Sequence, residues 1–410
     1  MTHILVIGGG FAGVWAAAGA VRAARAAGEA GDHIRVALIS GGDDLVLRPR
    51  LYEDDPESMR LSLDRVLGPI GVRRLAGTVT NIDTDAHTVR GVTRAGENLE
   101  LGYDKLILAT GSKLVAAPFS GAENLFDVDT LPAATTLDHH LRRLPERAPA
   151  DGRYTVVVVG AGFTGLEVAT AMGERLRAIA DTHGASEEVR VVLVDRADVL
   201  GSELGAGPRP YIESVIDELK VERRLHRTVE RVTSDEVVLS DGEVIPALTA
   251  VWTGGTVASP LTKHIAGEHD RLGRLSVDEH LRVTGVADVY AAGDTAAAIV
   301  GEDRFSMQSC QHATPMGKCA GHNVVADILD IDPMPFVPDP YTTCLDLGPG
   351  RAVQTAGWDR LIQLTGEEGK DLKHAINNSW IYPPIDDPEM ILAHAGRLAN
   401  GANEQRSQAA

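Results

Sequence analysis

Residues 4–17 read ILVIGGGFAGVWAA, and residues 156–169 read VVVVGAGFTGLEVA. Each stretch is an apolar strand, then Gly-x-Gly-x-x-Gly, then the start of a helix. In such a turn the first glycine makes the tight bend, the second lets the backbone approach a pyrophosphate, and the third lets the helix pack closely. The helix N-terminus beyond it attracts phosphate through free N–H groups and the helix dipole. A solitary GxGxxG is weak evidence. Here it occurs twice in the same strand–turn–helix setting, as an internal repeat at domain scale. The repeat predicts an α/β fold with two Rossmann-like dinucleotide-binding units. The first seats its nucleotide with Gly8, Gly10, Phe11, Ala12 and Gly13. The second uses Gly160, Gly162, Phe163, Thr164 and Gly165.

Outward from the first turn, residues 12–27 predict an alanine-rich helix and residues 34–39 a second buried strand, which completes a βαβ unit. That strand ends at Ser40 rather than at an acid. Ser40 can bond a ribose hydroxyl, with Asp43 or Asp44 as further candidates. Strands are expected at 79–83, 88–92 and 106–109, the last closed by Thr110 and Gly111. Outward from the second turn, a helix over 165–180 leads to the strand 189–194, which ends at Asp195. An acid there accepts hydrogen bonds from the adenosine ribose and disfavours a 2′-phosphate. Arg196 favours that phosphate, so NADH is preferred and NADPH stays open. Residues 229–232 and 236–239 read as hairpin strands. Residues 248–252 form a buried strand that runs into Gly254, a further cofactor-binding candidate, and 286–292 form another that ends at Gly293 and Asp294. Residues 144–152 are a linker candidate. Residues 307–329 are helical but contain Pro315, which predicts a kink or two helices. Pro333, Pro335, Pro338 and Pro340 mark a boundary before a smaller C-terminal unit carrying Trp358 and Trp380. Residues 401–410 read as a disordered tail.

The chain has 410 residues, room for two or three domains, and a formal net charge of −19. Such a surface repels nucleic acid and anionic lipid, and no aromatic-basic module is present. Cys310, Cys319 and Cys344 form no CxxC, so neither a disulfide scaffold nor a metal site is expected. No secretory signal and no membrane-spanning run is visible, and a soluble cytoplasmic protein is the expectation. Two dinucleotide sites need a chemical reason. Two nicotinamides cannot usefully reduce each other, whereas a flavin accepts a hydride and passes electrons on. That assigns FAD to one turn and NADH to the other.

The chain resembles the two-dinucleotide-binding-domain flavoproteins, also called pyridine nucleotide–disulfide oxidoreductase-like, over about residues 2–330. Four elements in order carry the likeness: the first glycine turn, Ala109-Thr110-Gly111, the second glycine turn, and Tyr290-Ala291-Ala292-Gly293-Asp294. The resemblance implies that the first turn holds FAD, and that Asp294 bonds the ribityl or pyrophosphate region. It also implies a discontinuous FAD domain (1–120 and 270–332), an inserted NAD(P)H domain (121–269) and a small α+β C-terminal cap or interface domain (333–400).

No cysteine precedes Cys310, so a thiol relay beside the flavin is not expected. The sequence is most similar to the type II NADH dehydrogenase branch, the single-subunit NADH:quinone oxidoreductases. Arg48-Pro49-Arg50-Leu51-Tyr52-Glu53 resembles their loop near the isoalloxazine. Glu167 matches their glutamate near the nicotinamide. Cys310-Gln311 falls at their Ala-Gln quinone element, but Met316-Gly317 replaces the following Gln-Gly. His312, beside Gln311, is a candidate proton carrier, with a structural histidine as the alternative. The expected activity is hydride transfer from NADH to FAD and two-electron reduction of a quinone-like or other small acceptor. An NAD(P)H-dependent reductase of an electron-carrier protein and an NADH-responsive interaction protein remain alternatives. The C-terminal segment DDPEMILAHAGRLANG is short and not basic on one face, so no stable membrane anchor is expected. The preceding NNSWIYPP suits packing over the flavin or a homodimer contact.

Overall fold

The structure, a computed structural model, describes residues 1–301 and 304–397. The expected tail at 401–410 lies outside the described residues. The first glycine turn follows strand Thr2–Ile7, at the centre of a seven-stranded sheet. That strand pairs in parallel with Ile34–Ser40 on one side and Lys105–Leu108 on the other. Strand Val289–Ala291, from far down the chain, adds in parallel beside Lys105–Leu108. Arg73–Asp83 extends the other edge in parallel, and antiparallel Thr88–Thr93 and Asn98–Gly102 complete it. The central strand is a continuous apolar run because helices cover both faces of a parallel sheet. Ile4 and Val6 are fully buried.

Among the described residues there are eight α-helices: α1 (Phe11–Ala26), α2 (Leu63–Leu67), α3 (Leu131–Arg142), α4 (Phe163–Asp181), α5 (Arg209–Glu218), α6 (Cys310–Ile328), α7 (Gly366–Ala375) and α8 (Pro388–Gly396). Of the two expected alternatives at Pro315, a kink or two helices, the second does not occur: α6 is a single helix with Pro315 inside it. A proline in the second turn removes one N–H and leaves the remaining ladder intact. Packing compensates. Helices α1 and α6 cross with their backbones nearly touching. A Cβ on Gly317 would lie 2.2 Å from the Ala12 carbonyl oxygen, and one on Gly321 would lie 2.1 Å from that of Ala16.

The second glycine turn sits in a four-stranded parallel sheet in the order Glu222–Arg224, Arg190–Val194, Thr155–Val159, Thr249–Trp252. The same architecture is thus used twice. Strands Ser112–Leu114 and Thr256–Ala258 pair where the chain passes between the two sheets. The C-terminal segment forms an antiparallel sheet of Thr342–Asp346, Ala352–Ala356 and Leu361–Thr365, followed by α7, a π-helical turn over Ile376–Trp380, and α8. Helix α8 buries Ile391 and Ala395 and packs on α1, so its apolar face is already used. Among the described residues no helix is long and apolar enough to cross a membrane.

Candidate functional site

The steric need for glycine is explicit at the first turn. Gly8 has φ +118, and a Cβ there would lie 2.2 Å from the Ala109 carbonyl oxygen; one on Gly13 would lie 1.9 Å from that of Gly8. A Cβ on Gly10 would meet no atom within 4 Å. Gly8, Gly10, Phe11 and Ala12 line a large cavity, with Gly13 packed behind them. Strand Lys105–Leu108 delivers Thr110 and Gly111 to the same wall. Thr110 Oγ1 is buried and has no hydrogen-bond partner among the described residues, so it is ready to bond a cofactor.

Asp294 reaches this wall from the turn after Val289–Ala291, where Gly293 has φ +70. Its carboxylate accepts from Ser112 Oγ at 2.6 Å, and Arg48 Nη1 lies 3.7 Å away. Burial pushes its carboxyl up, against the Ser112 hydrogen bond and Arg48. Arg48 also donates to Ser112 Oγ at 2.8 Å and pairs with Asp129. Ser40 lines the cavity and donates to the Gly42 carbonyl at 2.7 Å. Asp43 is drawn away by Arg74 and Arg94, at 2.7 and 2.6 Å, whose hydrogen bonds lower its pKa to about 2. Asp44, not Asp43, lines the cavity.

At the second turn Gly160 has φ +115, and a Cβ on Gly165 would lie 1.7 Å from the Gly160 carbonyl oxygen. Gly162, Phe163, Thr164 and Gly254 line the cavity, while Gly160 and Gly165 lie behind it. Asp195 departs from its expected role. One carboxylate oxygen accepts the Ala161 N–H at 2.5 Å and the other the Ala197 N–H at 2.7 Å. It therefore braces the turn from behind, and Arg196, its neighbour, lines the cavity instead.

Glu167 lies between the two turns, in the second turn of α4, and is 5% exposed. Its Oε1 accepts from Lys373 Nζ at 2.8 Å and from the Asp346 N–H at 3.1 Å. Lys373 also donates to the Cys344 carbonyl at 3.1 Å. The Asp346 carboxylate accepts from Lys370 at 2.6 and 2.7 Å and from the Tyr52 hydroxyl at 2.8 Å. Burial raises the Glu167 carboxyl to about 7, against the pull of Lys373. Burial works against the Lys373 charge too, but the Glu167 carboxylate overcomes it and the ammonium is retained. Burial, Glu167 and Asp346 keep the Tyr52 hydroxyl protonated. Of these groups the sequence pointed to Glu167 and, within the 48–53 loop, to Tyr52. Lys370, Lys373 and Asp346 lie far along the chain on elements with no recognisable local pattern.

Gln311 lines the cavity at the start of α6. Its amide faces strand Thr342–Asp346: with the nitrogen toward the Thr342 carbonyl it donates at 2.7 Å, and its oxygen accepts the Thr342 N–H at 3.2 Å. His312 corrects the proton-carrier expectation. It is 2% exposed and outside the cavity lining. Its Nδ1 accepts the Met307 N–H at 3.1 Å, and its ring stacks on Tyr341 at 5.6 Å. Burial lowers its pKa to about 4, so it is neutral near pH 7 and serves as a packing residue. The three cysteines are free. Cys310 and Cys344 line the cavity; burial raises the Cys310 thiol and takes Cys344 to about 11 and Cys319 to about 12.

The cavity holds about 1930 Å³ and runs without a break from Gly10 past Asp294 and Glu167 to Gly162 and Gly254. Ligand pockets commonly measure roughly 300–1,000 Å³, so there is room for more than one large ligand. Asn377, Trp380 and Tyr382 from the NNSWIYPP stretch line the cavity.

The doubled strand–turn–helix unit and its shared cavity define a protein built around two dinucleotide seats. The chain belongs to the pyridine nucleotide-disulphide oxidoreductase family, whose model matches residues 2–317. It is 42% identical over 402 residues to an NADH dehydrogenase-like protein of Mycobacterium tuberculosis, covering 97% of this chain and 99% of that one. It is 26% identical to a demethylphylloquinone reductase of a Synechocystis species, over 86% of each chain. In fold it is similar to NDH2 from Plasmodium falciparum, solved in complex with NADH, with a TM-score of 0.76 at 13% identity over 93% of this chain and 95% of that one.

Proposed function

We propose that this chain is an FAD-dependent oxidoreductase that takes a hydride from NADH and delivers two electrons to a quinone-like small acceptor. The observation that carries the reading is the continuity of one cavity between the two glycine turns, with the buried Glu167–Lys373 pair at its middle. The names of the relatives support it: an NADH dehydrogenase-like protein and a demethylphylloquinone reductase.

The first turn fits FAD on three counts. Gly10 leaves a cradle open to a pyrophosphate, Thr110 Oγ1 is an unused buried polar group, and Asp294 stands where ribityl hydroxyls can donate to it. Bound FAD would supply a ring able to accept a hydride and release electrons singly or in pairs. The chain's own residues do the rest. Gly162 and the N-terminus of α4 receive the NADH pyrophosphate. Glu167 and Lys373 hold a proton at Oε1 or Nζ, within reach of an acceptor that needs one on reduction. Tyr52, Asp346 and Lys370 fix the pair in place. Gln311 lines the cavity wall, its amide held by the Thr342 backbone. The protonated thiols of Cys310 and Cys344 favour a small acceptor over a thiol relay, because the thiolate is the reactive form.

The expected domain plan belongs to the same proposal: 1–120 with 270–332 for FAD, 121–269 for NAD(P)H, and 333–400 as a cap over the cavity. Purified protein should carry FAD and bleach anaerobically on addition of a reduced nicotinamide nucleotide, NADH or NADPH. A soluble quinone should then restore the colour over many turnovers. Protein that binds no flavin, or that stays yellow with both nucleotides, would sink the proposal. Rapid bleaching with recolouring only by a carrier protein would move the acceptor to the reductase alternative.

A further inference from the structure

The two glycine turns differ at one equivalent position. The space beyond Gly10 in the first turn is open, but a Cβ on Gly162 in the second would lie 2.8 Å from Glu203 Oε1. That same oxygen accepts the Phe163 N–H at 2.8 Å. A carboxylate thus rests on the N-terminus of α4, where the helix favours an anion. Glu203 is exposed and sits in the short 3-10 turn Ser202–Leu204. Gly201 at φ +55 and Gly205 at φ +77 flank it, so the turn can move without strain at either end.

A cation faces the same place from the C-terminal segment. Arg360 lies in the turn between Ala352–Ala356 and Leu361–Thr365 and is 7% exposed. Its backbone adopts φ +56, a conformation costly for any residue but glycine. Its guanidinium stacks over Tyr341 at 4.8 Å, and Nη2 reaches the Glu203 carbonyl at 3.5 Å. Nη1 is buried without a hydrogen-bond partner among the described residues. Arg360, Glu203 and Gly162 all line the one cavity. An idle buried guanidinium N–H is costly, and its fork matches a phosphate oxygen pair.

We propose that Arg360 completes the pyrophosphate seat of the second glycine turn, and that the Glu203 carboxylate occupies this seat until the dinucleotide displaces it. The inference rests on the reading that NAD(P)H binds at this turn. It adds a residue from a distant segment to that site and gives entry a local competitor. The two side chains then act with opposite sign. Arg360 attracts the pyrophosphate, and Glu203 repels it while holding its N–H donors.

ADP-ribose, which carries the pyrophosphate without the nicotinamide, is the probe, with binding to the flavin-loaded protein measured by calorimetry. Arg360→Gln should weaken binding by about 10- to 100-fold, the effect of one lost charge-assisted contact. Arg360→Lys should restore part of it, keeping charge without the fork. Glu203→Gln should tighten binding several-fold, and it is informative even where the arginine variants fold poorly. Unchanged affinity in both Arg360→Gln and Glu203→Gln overturns the proposal. So does an Arg360→Gln defect seen only with 2′-phospho-ADP-ribose, because Arg360 would then read the 2′-phosphate. If the wild-type protein binds neither ADP-ribose nor NADH, the underlying assignment of the turn fails and the proposal goes with it. Intact wild-type binding with indifferent variants condemns the proposal alone.

Discussion

Glu167 shows how one carboxyl acquires its chemistry from its surroundings. Burial takes it to about 7, and Lys373, helped by the Asp346 N–H, keeps it from rising further. The sign of the pH dependence follows. Below about 7 the carboxyl is protonated and can donate; as pH rises through that value the donor is lost. Acceptor reduction should therefore be flat at low pH and fall through neutrality. Glu167→Gln should abolish that inflection and slow acceptor reduction by about 100-fold or more, the usual range for a lost acid–base group. Lys373→Met should move the inflection to higher pH, because the attraction that favours the ionised carboxylate is gone. Stopped-flow reoxidation across pH checks both; an unmoved inflection in either variant would show that another group titrates. Glu167 was legible in the sequence because it stands at a set distance from the last glycine of its turn. Lys373 was not, since 206 residues separate it from Glu167. Asp195 and His312 went the other way. Both residue types suited the roles expected of them; in the structure Asp195 accepts the Ala161 and Ala197 N–H groups and His312 Nδ1 accepts the Met307 N–H, contacts that no local pattern shows.

Helices α1 and α6 cross with almost no space between their backbones. Helix α1 begins at the cofactor turn, and α6 brings Gln311 to the cavity. Gly317 and Gly321 are present because the backbone of α1 leaves no room for a side chain. Gly321→Val should lower stability by about 1–3 kcal/mol or more through overpacking against main-chain atoms that cannot yield. The variant should also release flavin on mild heating, before the second unit unfolds. Thermal melts followed by flavin fluorescence and by circular dichroism separate the two events, and coincident wild-type-like melts would refute the account. The glycine turns themselves were readable because their steric demand is local, set by positive φ and by contacts a few residues away. The unbroken course of α6 through Pro315 was not readable. Pro315 predicted a kink or two helices, and the close packing on α1 that accompanies one helix is not visible in the local sequence.

At the scale of the molecule, the net charge of −19 and the use of the α8 apolar face against α1 both oppose lipid docking. At moderate ionic strength the protein should remain in the supernatant when vesicles rich in anionic lipid are pelleted; quantitative co-sedimentation would overturn that expectation. The C-terminal segment has a different task. It delivers Lys370 and Lys373 to Glu167 and Asp346, Arg360 to the second turn, and Trp380 and Tyr382 to the cavity wall. By itself the sequence determined the doubled glycine turn, the two Rossmann-like α/β units and the family. These follow from short-range rules, in which strand, bend and helix are set by adjacent residues. Only the tertiary structure decided which charges meet between the turns. Residues 52, 167, 346 and 373 share no local pattern, and their chemistry arises from removal of water and close approach, which no stretch of consecutive residues can encode.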